Sequence, residues 1–98
     1  AVMAFKNKTS YTVQDGQLFV DENGKETVYN LSDYELRSNI EIVVSNMGVP
    51  SKRELILIPL DGSQKIKINF AEKKIKEVVA FLEDIQSELN IEIKSIHD

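Results

Sequence analysis

The sequence predicts an α+β domain: about seven short strands forming an antiparallel sheet or half-open barrel, with one amphipathic helix packed at its end. Two patterns lead there. Between Thr9 and Phe70, short runs of alternating apolar and polar residues are punctuated by Asp15-Gly16, Asn23-Gly24 and Asp61-Gly62, read as hairpin turns. From Asn69 to Asn90 the apolar period changes to steps of three and four, which marks a helix with one apolar face. All strands come first and the helix last, the order of an α+β layer plan.

Taken in order, Thr9 to Gln14 alternates with Tyr11 and Val13 on one face, and Gln17 to Asp21 returns as its hairpin partner. Asn23-Gly24 is the strongest hairpin signal and hands the chain to a third strand, Lys25 to Asn30. Leu31 to Asp33 breaks that strand, Tyr34 to Arg37 is a short piece, and Ser38-Asn39 follows it. Ile40 to Ser45 is expected as a new strand, and Asn46 to Lys52 as a loop, because Gly48 and Pro50 punctuate it. Arg53 to Leu60 is apolar on both faces, which calls for a central position, with Pro59 at an edge or bulge. Gln64 to Phe70 sends Ile66, Ile68 and Phe70 inward and Lys65, Lys67 and Asn69 outward.

The helix is expected over residues 70–90. Asn69 would be its N-cap, with Glu72 three residues on, a capping-box spacing. Ala71, Ile75, Val78, Val79, Leu82, Ile85 and Leu89 form the apolar stripe. Lys73, Lys76, Glu77, Ala80, Glu83, Asp84 and Ser87 face away from it. Asn90 suits the left-handed residue that ends a helix. Beyond it, Ile91 and Ile93 fit a strand, while Ile93 and Ile96 also fit a continued helix; a stop near Asn90 is favoured.

The chain has 98 residues, one domain's worth, with 42% hydrophobic and 29% charged residues, ordinary for a globular fold. A net charge of −4 argues against general nucleic-acid binding, which needs a basic face. With no cysteine there are no disulfides, thiolate metal sites or cysteine nucleophiles. No apolar run reaches the roughly 18 residues of a membrane span. The opening AVMAF, followed by Lys6 and Lys8, reads in one of two ways. It is the end of a preceding membrane helix with its cytoplasmic lysines, or it is an ordinary edge strand or extraneous residues.

The phrases YTVQDGQLFV, GKETVYNLSDYELR and ELILIPLDGSQKIKINF, in this order and followed by a terminal helix, resemble the bacterial pleckstrin-homology-like domains. The resemblance covers Thr9 to Asn90 and is one of pattern, without an invariant motif. It implies seven strands in two bent sheets, capped by the helix. It fixes no single function, since this superfold hosts many, although bacterial members often sit beside membrane helices. It does not carry phosphoinositide binding with it, because the first turn, Gln14 to Gln17, lacks the basic residues that the lipid-binding members place there.

Few residues invite chemistry. His97, the one histidine, is read as a solvated residue near a terminus, since acid–base work needs a held partner. Asp21 to Glu26 has the composition of a calcium loop but not its spacing, and a hairpin turn explains it better. Asn7-Lys8-Thr9 and Asn30-Leu31-Ser32 match the glycosylation sequon, relevant only to an exported domain. Lys52, Arg53, Lys65 and Lys67 form the best basic cluster, an anion or lipid site set against a charged face that keeps the sheet soluble. Met47, Val49 and Pro50 are apolar loop residues, read as a partner site or as part of the core. The expected function is therefore a noncatalytic binding or scaffold module. It would belong to a bacterial membrane-associated protein, at the cytoplasmic face of the cell membrane. No catalytic residue, metal or cofactor is expected, and the expected partner is a protein or neighbouring domain. The alternatives are a peripheral binder of anionic lipid and, less well supported, a small enzyme.

Overall fold

The computed structural model describes residues 9–41, 52–70 and 73–97. Strands β1 (Thr9–Gln14), β2 (Gln17–Glu22) and β3 (Lys25–Asn30) form an antiparallel meander. The two turns explain the register. Asp15 and Gly16 have φ of 52° and 75°, and Asn23 and Gly24 have 54° and 88°. Positive φ at both central residues is the type I′ geometry whose twist matches that of the strands. Asp21 Oδ1 accepts the Gly24 N–H at 2.8 Å, so this acidic run is a hairpin turn, as expected.

After a 3₁₀ turn, Leu31–Asp33, come β4 (Tyr34–Glu41), β5 (Lys52–Pro59), β6 (Ile66–Asn69), the helix α1 (Ile75–Leu89) and the short β7 (Lys94–Ser95). They build a second sheet in the order β6-β5-β4-β7, antiparallel except for the parallel β4–β7 pair. β5 is central, as its two apolar faces require, and Pro59 is its last residue. Among the described residues no ladder joins the two sheets, so they do not close into a barrel.

Leu18 and Val20 of the first sheet meet Leu36, Leu55, Leu57 and Ile68 of the second, and Val78, Leu82 and Ile85 of the helix seal the layer between them. Lys76, Glu77, Ala80, Glu83, Asp84 and Ser87 stand exposed on the opposite helix face, as expected. At the helix end, Glu88 Oε1 accepts the Asp15 N–H at 3.0 Å, tying α1 to the first hairpin.

Five expectations need correction. First, Asn69 does not cap the helix. It is the last residue of β6, and α1 starts at Ile75 with Lys74 as N-cap and no side-chain cap bond. Phe70 is the reason: it is buried, and its N–H donates to Arg53 O at 2.7 Å, so the β5–β6 ladder runs on through the capping position. Glu72 lies outside the described residues. Second, β4 is continuous from Tyr34 to Glu41, with no break at Ser38-Asn39. Third, the seventh strand follows the helix. Asn90 ends α1 in the left-handed region, φ 54° and ψ 48°, as expected, but the tail beyond it supplies a strand that pairs with β4. Fourth, Asp61-Gly62 is not a tight hairpin: residues 60–65 separate β5 from β6, and only Gly62 has positive φ. Fifth, Val79 is 41% exposed, while Phe81, absent from the expected stripe, packs on the core. The remainder of the expected Ile40 to Ser45 strand, residues 42–45, lies outside the described residues.

Candidate functional site

The first hairpin carries Tyr11 on the inner face of β1, opposite Val20 on β2. The chain leaving β6 brings Phe70 to the same place from the other sheet, and nearly two turns into α1 it adds Phe81. The three rings interlock. Tyr11 and Phe70 meet edge to face with centroids 4.6 Å apart, Phe70 and Phe81 at 6.0 Å, and Tyr11 and Phe81 at 6.3 Å. Edge-to-face packing of this kind places the positive ring edge on a negative ring face. The Tyr11 hydroxyl donates to Asn69 O at 3.2 Å. A side chain, not a backbone ladder, therefore bridges β1 and β6.

This bridge leaves a groove between the two sheets. A cavity of about 430 Å³ is lined by Tyr11, Val20, Glu22, Lys67, Phe70 and Lys73, among others. On the helix side of Tyr11 and Phe70 lies a second hollow of about 250 Å³, bounded by Val78, Phe81 and Glu77. Tyr11 and the buried Val20 and Phe70 lie on the groove's inner side, but most of the larger cavity's surface is polar, with Lys67 and Lys73 set against Glu22, and Glu77 beside the smaller hollow. A cleft that combines buried apolar residues with several converging polar groups is a usual form of binding site.

The expected basic cluster divides. Along β5 and into β6, strand alternation sends Lys52 and Lys67 to the face turned from the helix, and Lys65, just before β6, is exposed as well. Arg53 goes to the opposite side, where its guanidinium donates to Lys73 O at the approach to the helix. It is a structural residue of that junction. Arg37 and Lys94 join the lysines through their register on β4 and β7, but Glu35 holds Arg37 at 2.6 Å, and Glu54 shares the face. The face is of mixed sign.

His97, expected in solvent, keeps an exposed residue position, but its Nε2 lies 3.2 Å from Asn39 Oδ1. Asn39 Nδ2 in turn donates to Glu54 Oε1 at 2.8 Å. The imidazole thus pins the tail to β4 and β5. Met47, Val49 and Pro50, the expected partner site, lie outside the described residues, as does Asn7 of the first sequon; in the second, Ser32 Oγ donates to Asn30 Oδ1 at 3.1 Å.

Sequence reasoning missed the groove. Tyr11 and Phe70 were each legible as inward-facing, but their meeting needs the two sheets placed against each other. Among the described residues no helix is long and apolar enough to cross a membrane. Comparison with protein-family models, curated proteins and solved structures finds no match to this chain.

Proposed function

We propose that this chain is a noncatalytic binding module of pleckstrin-homology-like architecture, and that it takes its ligand in the groove between β1 and β6. One observation carries the reading: the seam where the sheets fail to join is floored by Tyr11, Val20 and Phe70 and rimmed by charges of both signs. In a half-open barrel this seam is the opening. The fixed aromatic cluster supports a binding role, since a rigid apolar floor loses little entropy when a ligand settles on it. The imidazole of His97 is engaged in holding the tail, which fits a structural part for the one histidine.

The test is a nuclear magnetic resonance titration with a panel of small aromatic carboxylates, which match the apolar floor and the Lys67 and Lys73 rim. Shifts centred on Tyr11, Phe70 and Phe81 are expected. Shifts centred elsewhere, for instance around Pro59 and Leu60, would overturn the assignment.

A lipid-binding face is the second reading, favoured by Lys52 and Lys67 on one side of the sheet and by the exposed Lys65 next to β6. Glu35 and Glu54 on that side weaken it. Co-sedimentation with anionic liposomes is expected to stay at background. Binding that falls steeply with salt, as screening within about 10 Å at 0.1 M requires, and that charge reversal at Lys65 and Lys67 abolishes, would favour the membrane reading.

A further inference from the structure

The backbone of β6 says how the groove would hold a ligand. β6 is the outermost strand of its sheet, with β5 as its strand neighbour among the described residues. Phe70 N–H bonds to Arg53 O, and in an antiparallel ladder bonded residues alternate. Phe70, Ile68 and Ile66 therefore direct their amides to β5. Lys67 directs its N–H and C=O the other way, toward β1 and the groove. The Tyr11 hydroxyl already uses this direction when it bonds to the oxygen of Asn69, which shares the parity of Lys67.

Among the described residues β1 is likewise the outer strand of its sheet. Two strand edges thus face each other, bridged by the length of a tyrosine side chain. One inserted strand would need about 9–10 Å between them, twice the strand spacing. An extended segment laid beside β6 would hydrogen-bond to Lys67 and carry the sheet toward β1, the addition that unpaired edges invite.

The register also selects the side chains. Residues of an added strand that fall inward would neighbour Ile66, Ile68 and Phe70. Those that fall outward would neighbour Lys65 and Lys67, and cross-strand neighbours of opposite charge stabilise each other. Lys73 adds a second positive charge to the groove beside Lys67, against Glu22 as the one negative charge among its described residues. We infer that the groove takes an extended peptide segment of a partner protein, alternating β-branched apolar with acidic residues, which adds as a strand to β6. This rests on the groove reading above and specifies its ligand.

The probe is the capped hexapeptide Val-Glu-Val-Glu-Val-Glu, followed by amide hydrogen exchange on the whole domain. Saturable binding is expected, with slowed exchange at the Lys67 amide. N-methylation of the central peptide amides should abolish binding, because it removes the ladder and leaves the side chains. Lys67→Glu should weaken binding by about tenfold or more, and the Val-Lys analogue should not bind. Lys67→Pro offers a second variant, since it removes an amide that makes no bond to β5. Binding indifferent to N-methylation overturns strand addition but leaves the groove reading standing. So does failure of the peptide where aromatic carboxylates still shift Tyr11 and Phe70. Equal binding of the Val-Lys analogue overturns the acidic partner. Protection of Lys67 by self-association, seen as a dimer in sedimentation, would make the occupant a second copy of this chain and overturn the partner peptide. Failure of peptide and carboxylates alike removes both proposals.

Discussion

Asn39 is a polar residue in the middle of a strand, 7% exposed, and both ends of its amide are bonded, to Glu54 and to His97. Burial of such a group is tolerable only when its bonds are made. Asn39→Ala leaves the Glu54 carboxylate without this donor and removes one tie to the tail, so a loss of about 1–3 kcal/mol is expected in urea unfolding. His97→Ala should cost less, because the Asn39–Glu54 bond survives it; an Asn39→Ala cost no greater than that of His97→Ala would show that the chain of bonds does not hold the tail. Asp61 gives a residue-scale pH effect. The Ser63 hydroxyl and then the Ser63 amide donate to its carboxylate and hold its pKa below the ordinary 3.8. The associated stabilisation is present above that ordinary value and fades as pH falls through the lowered one. Since the group is fully exposed, the readout is the titration itself: Ser63→Ala should move the Asp61 midpoint upward, and an unchanged midpoint would contradict the assignment.

At the scale of elements, the sequence was most legible where local chemistry decides. The type I′ turns at Asp15-Gly16 and Asn23-Gly24 need positive φ, which these residues accept, and two strand registers follow from them. Asn90 ends the helix for the same reason, aided by the Ile91 N–H on Gln86 O at 3.1 Å. It was least legible where a distant contact overrides a local preference. Asn69 has the side chain of a cap, but the burial of Phe70 extends the strand through it. Ser38-Asn39 has the look of a break, but Glu54 and the tail satisfy it. β7 is two residues long and paired in parallel, too short to leave a periodic signal. The helix stripe was legible because its period is its own. Leu82, buried between the sheets, should lose about 2–5 kcal/mol on substitution by alanine. A measured loss under about 1 kcal/mol would mean that α1 does not seal the core.

For the whole molecule, the class was legible and the assembly was not. Alternation says which face of a strand is inward, but not which strand stands beside which. The groove joins Tyr11 of the first hairpin to Lys67, Phe70 and Lys73, and no pattern along the chain announces that meeting. It follows from the lack of a ladder between β1 and β6, on which the groove depends, and backbone nuclear Overhauser effects test that separation most directly. The Tyr11 ring should show contacts to the rings of Phe70 and Phe81, with no cross-strand contacts between the backbones of Thr9–Gln14 and Ile66–Asn69. A continuous set of Hα–Hα and HN–Hα contacts joining those two segments would mean that the barrel closes there and that the groove does not exist.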